Sequence, residues 1–479
     1  MTSPLSFVAV DLGATSGRVM LARLEGGRLS MHATGRFANT PLTLPDGIHW
    51  NIPALYQGAL NGIGAAFREN PSIASIGIDS WAVDYGMLRG DLLLGLPFHY
   101  RDQRSLSGVT AVHASTPHSE LYQRNGLQFL HFNTLYQLAS EHANGMLEQA
   151  HTVLLIPDLI GYWLTGQRVA ERTNASTTGL LDVRTGCWDT DLARTVGVAS
   201  SQLPRLINPG DRVGLLRPAV VQEIGAPSSA TVVAVGSHDT ASAVAAVPLS
   251  SPDAAYISCG TWGLVGLELD GPVLSEDARI ANFTNESAVD GRIRFLTNAM
   301  GLWLLTETIR AWEKSGEKIG LSELLRAASA DTTPVSVIDA NDARFHSPGD
   351  QPARIRDWCA EHGTPAPANK AQTVRCIVES IAESFANAVR TAGRLANVTV
   401  PAIHIVGGGS LNKLLCQAVA NHSELPVLAG PVEATSLGNV LVQAQAAGII
   451  GDGAEDVREI VRNSVKLRRY EPRRWRESQ

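Results

Sequence analysis

Apolar and polar positions along the chain fall into short strand-like runs and longer amphipathic stretches. Three of the apolar runs are interrupted in a similar way. FVAVDLGATSGRVML (residues 7–21) is an apolar run, an acid, a glycine turn bearing hydroxyls, and a second apolar run. AAYISCGTWGLVGLEL (residues 254–269) repeats that design, and both predict strand, turn, strand. IHIVGGGSLNKLL (residues 403–415) predicts a strand running through Gly407, Gly408 and Gly409 into a helix. SIASIGIDS predicts a buried strand, followed by a loop that carries Trp81 and Asp84. TVLLIPDLIGYWLTG joins a buried strand to a helix opening at Pro157, and TVVAVGSHDTASAVAAVPL gives a strand, a polar turn and an Ala-rich helix. LYQLASEHANGMLEQA, NAMGLWLLTETIRAWEK and TVRCIVESIAESFANAVRTAGRLA have helical spacing of their apolar positions. Alternation of this kind predicts an α/β protein with mixed layers around central sheets.

The glycine hairpin in each half suggests a duplicated architecture. Length alone, 479 residues, suggests about three domains, but the repeat favours two. PLSSPDA (residues 248–254) is the best linker, which sets the expected domains at 1–248 and 249–479. Apolar residues at 44% and charged residues at 18% fit a globular enzyme rather than a disordered or fibrous chain. A net charge of −7 argues against non-specific nucleic-acid binding. Apolar runs fall short of the ~20 residues needed to cross a bilayer. The N-terminus lacks a basic region and Asp11 interrupts its apolar stretch. A cytoplasmic protein with no membrane partner is expected. Five cysteines without metal or CxxC spacing fit reduced thiols, with a Cys359–Cys376 pairing left open. The basic stretch VKLRRYEPRRWRESQ reads as a solvated tail. Monomer and homodimer both stay open.

Glycine lets backbone approach phosphate oxygens closely, and Thr15, Ser16 and Thr261 add hydroxyl donors. Asp11, ending the first strand, is placed to hold a metal ion beside those phosphates. The triple glycine would let a flat ring or a phosphate lie against bare backbone at a helix N-terminus. Together the three turns suggest a nucleotide clamp. With no GxxxxGK[ST] and no well-formed GxGxxG, it would be neither a P-loop nor a Rossmann fingerprint. Taken singly, each hairpin is more simply a plain turn and Asp239 more simply a helix cap, and a helix cap is the plain alternative for Asn298.

The three turns follow the order of the phosphate-1, phosphate-2 and adenosine elements of the actin, heat-shock chaperone and sugar-kinase superfamily. Within it, the chain resembles the FGGY carbohydrate kinases over nearly its full length, through IPDLIGYWLTG, LPRLINPGDRVG and GPVEATSLGN. SIGIDSWAVDYGML, YQRNGLQFLHFNTLYQL, GSHDTASAV, ANFTNE and NAMGLWLL are similar to the branch that phosphorylates L-rhamnulose at its 1-hydroxyl. The resemblance implies two actin-like domains, each on a ribonuclease-H-like core, with an active-site cleft between them. It implies ATP as co-substrate, and Mg²⁺ held by Asp11 through water. It makes Asp239 the general base, flanked by the substrate contacts His238 and Thr240. Ala14, Thr15, Ser16, Gly17 and Arg18 match the phosphate-1 loop, Thr261 the phosphate-2 loop and Gly408 the adenosine loop. Asn298 and Ala82 match substrate positions, and Thr306 a nucleotide position. Two of these depart from the pattern: Ala82 stands where it has glycine, and Thr306 where it often has glutamine. A kinase for a related ketose such as L-fuculose or L-xylulose, and a non-catalytic sugar or nucleotide sensor, are the alternatives.

Overall fold

The computed structural model describes residues 5–314 and 316–473. The strand Leu5–Leu12 is buried at every position but its first. It pairs antiparallel with Ser16–Glu25 and parallel with Ile73–Ser80. The complete sheet runs Arg212–Leu215, Thr231–Val233, Ile73–Ser80, Leu5–Leu12, Ser16–Glu25, Arg28–Ala38. Because side chains alternate across a strand, the two faces of this sheet bury different chemistry. Val8, Val10, Leu12, Ile76 and Ile78 share one apolar core with Leu55, Ala59 and Ile63 of the helix Ile52–Glu69. That helix lies close to the sheet because Gly62 has no side chain. A Cβ there would fall 2.4 Å from the Val19 side chain.

The opposite face, with Ser75, Gly77 and Asp79, meets the helix Ala434–Ala446. Gln443 donates to the Val8 carbonyl at 3.0 Å and to the Asn439 side-chain oxygen at 2.7 Å, and accepts from the Ser75 hydroxyl at 2.6 Å. Gly77 is the gap these amides enter: its Cβ would lie 2.3 Å from Asn439 Oδ1. A smaller sheet, ordered Leu92–Leu93, Tyr85–Arg89, Thr152–Leu155, carries a second core that includes Tyr85, Leu135 and Val153.

The second packing unit repeats the plan. Ala255–Cys259 pairs antiparallel with Trp262–Leu269 and parallel with Ile403–Val406, which pairs parallel with Val427–Ala429. The long helix Lys370–Ala396 covers this sheet, and its Phe385 ring occupies the space where a Gly263 Cβ would stand, 2.2 Å away.

By packing, the first unit contains the residues up to Pro248, then Glu268–Phe295 and Ala434–Val465; the second contains Leu249–Leu267, Leu296–Glu433 and the residues from Lys466 on. The packing therefore departs from the linear division 1–248 and 249–479 in two segments. The two segments are joined to each other by charge, the buried Glu268 receiving Arg292 at 3.1 Å and also Arg458. Glu286 ties the first to His238, and the Asn439 and Gln443 amides tie the second to the sheet.

Other differences are local. Residues 135–150 are not one helix; Thr134–Ala143 ends before Gly145, whose φ is 71°, and a short 3₁₀ turn follows. Within the basic C-terminal stretch, Arg468–Tyr470 is an edge strand on Val427–Ala429 rather than solvated tail, while 474–479 lie outside the described residues. All five cysteines are free thiols, Cys359 and Cys376 among them. Among the described residues no helix is long and apolar enough to cross a membrane.

Candidate active site

In the first unit the parallel strands Leu5–Leu12, Ile73–Ser80 and Thr231–Val233 end on one edge of the sheet, where open α/β sheets present ligand-binding groups. The first hairpin turn is tied at its base. Gly13 N–H donates to the Ser16 carbonyl at 2.9 Å, and Asn39 holds the Gly13 and Thr15 carbonyls through its side-chain and backbone N–H at 2.9 and 3.0 Å. Ala14 is half-buried and Thr15 and Ser16 are exposed, while Gly17 lies on the Phe37 ring. Asp11 faces Arg18 across the ladder, and Arg18 Nε stands 3.5 Å from Asp11 Oδ2. Ser436 Oγ lies 3.5 Å from the same oxygen.

Asp79 is the register partner of Asp11 on the parallel strand. It is fully buried and accepts from Asn439 Nδ2 at 2.6 Å, while its Oδ1 has no partner. Burial, followed by the neighbouring charge of Asp11, pushes its carboxyl well above the usual range, and Asp239 adds in the same direction. Three carboxylates are therefore gathered at this sheet edge. Asp79 stands near the end of an apolar strand as Asp11 does, but no glycine turn follows it to mark it in the sequence.

Asp239 opens the helix Asp239–Ala245, but the N-cap position belongs to His238, whose side chain makes no cap bond. The carboxylate is thus not consumed as a cap. Its side chain is 31% exposed and receives the Thr240 hydroxyl at 3.1 Å, with His238 Nε2 at 3.5 Å. Burial of the surrounding turn raises its pKa, against the pull of His238, Thr240 and Arg294. Two buried groups fix this turn. Glu171 accepts from Ser237 N–H at 3.0 Å and Ser237 Oγ at 2.8 Å, as well as from the Thr173 and Asn174 N–H groups. On the other side, His238 Nδ1 lies 3.3 Å from Glu286, which also pairs with the fully buried Arg294 at 3.1 Å. Burial works to raise the Glu286 carboxyl, but Arg294 and His238 outweigh it and hold it below the usual range. Neither Glu171 nor the Glu286–Arg294 pair carries a spacing signal, since they approach the turn only through the fold.

Ser80 N–H donates to the Ser237 carbonyl at 2.9 Å, and Ser80 forms a parallel bridge with His238. The turn of Trp81, Ala82 and Val83 that follows is therefore continuous with the Asp239 turn. Trp81 N–H also reaches the Leu12 carbonyl at 3.3 Å, next to Asp11.

In the second unit Thr261 sits in the hairpin turn, half-buried, and its carbonyl accepts from Trp303 N–H at 3.2 Å. Gly407 has φ of 78°, and a Cβ there would meet the Cys259 carbonyl at 3.0 Å; Gly409 packs on the Cys259 thiol. Between them Gly408 is exposed, with open space where a side chain would stand. Asn298 is half-buried within the strand Ile293–Met300, so it does not cap the helix Trp303–Lys314. Thr306 is exposed on that helix, its hydroxyl donating to the Leu302 carbonyl at 3.0 Å. Asp11, Ala14–Arg18, Ala82, His238, Asp239 and Thr240 thus belong to the first unit, and Thr261, Asn298, Thr306 and Gly408 to the second.

Among the described residues no three His, Cys, Asp or Glu side chains form a metal cage. A single hard carboxylate such as Asp11 suits Mg²⁺, which keeps most of its water and takes few protein ligands.

Comparison with known proteins agrees with this layout. Residues 6–246 match the N-terminal domain of the FGGY family of carbohydrate kinases and 255–447 its C-terminal domain. The chain is 43% identical to a rhamnulokinase of Pectobacterium carotovorum subsp. carotovorum, over 98% of this chain and 93% of that one. It is 38% identical to a rhamnulokinase of Bacteroides thetaiotaomicron, over 98% and 96%. Its fold matches the crystal structure of a gluconate kinase from Lactobacillus acidophilus with a TM-score of 0.78 at 18% identity, covering 98% and 94% of the two chains. The chain belongs to the FGGY family of carbohydrate kinases.

Proposed function

We propose that the protein transfers the γ-phosphoryl group of ATP to the 1-hydroxyl of L-rhamnulose, giving L-rhamnulose 1-phosphate and ADP, with Asp239 as general base. The observation that carries this reading is the Asp239 carboxylate: it stands one place inside a helix whose N-cap is His238, is partly exposed, and sits on a turn braced by the buried Glu171 and by the buried Glu286–Arg294 pair. The identity to proteins named rhamnulokinase supports the choice of sugar.

Phosphoryl transfer of this kind depends on positioning and charge neutralisation more than on covalent chemistry. The 1-hydroxyl oxygen forms its bond to the γ-phosphorus while the bond to the bridging oxygen of ADP breaks. The hydroxyl proton passes to Asp239, and His238 and Thr240 orient the sugar beside it. Ala82 and Asn298 are further sugar contacts. Backbone N–H groups and hydroxyls of Ala14, Thr15, Ser16 and Gly17 bind phosphate, and Arg18 offsets its charge. Thr261, Thr306 and Gly408 contribute to holding the nucleotide. Asp11 would hold Mg²⁺ through water, and the ion would supply charge that offsets the phosphates. The reaction belongs in the cytoplasm, where ATP is supplied.

The test is ADP release from ATP and Mg²⁺ with L-rhamnulose, L-fuculose, L-xylulose and glycerol. L-Rhamnulose is expected to give the highest kcat/KM. Preference for one of the others by more than about tenfold would sink the sugar assignment while leaving the kinase intact.

A further inference from the structure

The turn that carries Ala82 is held in an unfavourable conformation. Val83 has φ of 67°. For a β-branched residue the left-handed region is a genuine outlier, because the side chain crowds the backbone. Such a conformation persists only where the surroundings over-determine it, and such sites cluster where ligands are gripped.

The over-determination comes from Asp84. Its Oδ2 accepts three N–H groups: the Trp50 indole at 2.6 Å, the Trp81 indole at 3.0 Å and the Tyr100 backbone at 3.1 Å. Its Oδ1 accepts from Gln137 Nε2 at 3.0 Å. The carboxylate is buried, and none of these four donors is a cation. An apolar residue would fill the same space at less desolvation cost, but it would leave two buried indole N–H groups unsatisfied. The bonds reach both ends of the strained residue. Asp84 N–H closes back on the Ala82 carbonyl at 2.9 Å, and Thr134 Oγ1 donates to the Val83 carbonyl at 2.7 Å. The indoles pack rather than hang from the carboxylate. Trp50 and Trp81 have ring centroids 4.0 Å apart, and His99 stacks on Trp50 at 4.0 Å.

The turn also touches the chemistry through the backbone. Its first residues are hydrogen-bonded to the Ser237 carbonyl on one side and to Leu12 on the other. A shift at residue 82 therefore moves the wall beside Asp239 while the phosphate loop stays anchored through Asn39.

We propose that Asp84 is a positioning residue that sets sugar specificity by holding the Ala82–Val83 turn in its strained shape. The proposal rests on the reading of residue 82 as a sugar contact. The Asp84 carboxylate does not touch substrate. It fixes the two indoles and the backbone that define where Ala82 stands, so the pocket rejects a sugar whose hydroxyl points the wrong way.

The test uses the full chain and the ketose that the parent turns over best, compared with its C4 epimer. If that ketose is not L-rhamnulose, the sugar assignment fails on its own and the positioning test still reads. Asp84→Asn leaves the size of the side chain but turns one acceptor into a donor facing N–H groups. It is expected to lower the ratio of kcat/KM between the two epimers by about tenfold or more. The KM for ATP should stay within about twofold, because the phosphate loop is not part of the bracket. Adding Val83→Gly to that variant should return most of the lost ratio, since glycine adopts a positive φ without strain. A purely structural role would cost stability without moving the ratio. An unchanged ratio in Asp84→Asn, or no return with Val83→Gly, overturns the proposal. If Asp84→Asn does not fold, Trp81→Phe removes one donor and keeps an aromatic ring. It should shift the ratio in the same direction, and an unchanged ratio there counts against the proposal equally.

Discussion

A carboxylate at the start of a helix is most simply explained as an N-cap that takes free N–H groups. Asp239 is not used that way, and its neighbours are arranged to keep it in place. Glu171 grips Ser237, the Glu286–Arg294 pair grips His238, and Thr240 donates to Asp239 itself. If this group takes the sugar proton, Asp239→Asn keeps the shape and loses the base. Turnover is then expected to fall by about 10²- to 10⁴-fold, the scale of general base removal. Nucleotide affinity, read by titration with ADP, should be unchanged. Turnover within a few-fold of the parent would show that another group accepts the proton.

At the scale of elements, the helix that carries Asp239 is positioned by the absence of a side chain on its neighbour. A Cβ on Gly438 would fall 1.7 Å from the Ser242 carbonyl, so the helices Ala434–Ala446 and Asp239–Ala245 touch backbone to backbone. Gly438→Ala must push them apart. It is expected to destabilise by about 1–3 kcal/mol or more and to lower kcat, because the displaced helix begins at Asp239. Urea unfolding and steady-state kinetics on one preparation check both, and a loss of stability with kcat intact would separate helix packing from the site. This contact also marks what the chain pattern could and could not reveal. The hairpins, the triple glycine and the strand-to-helix turn at Asp239 were legible because glycine, hydroxyl and apolar residues occur there in local order. The helical spacing of 298–314 hides the end of the strand Ile293–Met300, because its apolar positions run unbroken from the strand into the helix Trp303–Lys314. Asp79, Glu171, Glu286 and Arg294 depend on partners distant in sequence. GPVEATSLGN was visible as a family string, but nothing local says that its Asn439 supports a buried acid on another strand.

At the scale of the whole molecule, the first unit is assembled from three stretches of chain. Residues 1–248 contain every strand of its main sheet, yet they lack the helix that fills the groove at Gly77 and bonds Asp79. Expressed alone, that fragment should fail to form the native sheet. A buried acid and a polar cleft without partners cost more than a marginally stable unit can absorb. Hydrogen exchange reads this directly: Leu5–Leu12 and Ile73–Ser80 should be protected in the full chain and exchange freely in the fragment. Protection equal to that of the full chain would show that the helix Ala434–Ala446 is dispensable.

That discontinuity has a consequence for how the protein is made. A ribosome delivers the strand Leu5–Leu12 and its hairpin first, then the Asp239 turn, and much later the helix Ala434–Ala446 that packs on that strand and on the helix Asp239–Ala245. Until Gln443 has emerged, the Ser75 hydroxyl and the Val8 carbonyl have no amide to meet them. The nascent chain therefore spends the synthesis of residues 249–433 with an unfinished, aggregation-prone sheet face exposed. Codon choice and chaperone supply across residues 249–433 should then govern the yield of active protein more than the same changes made within the first 248 residues.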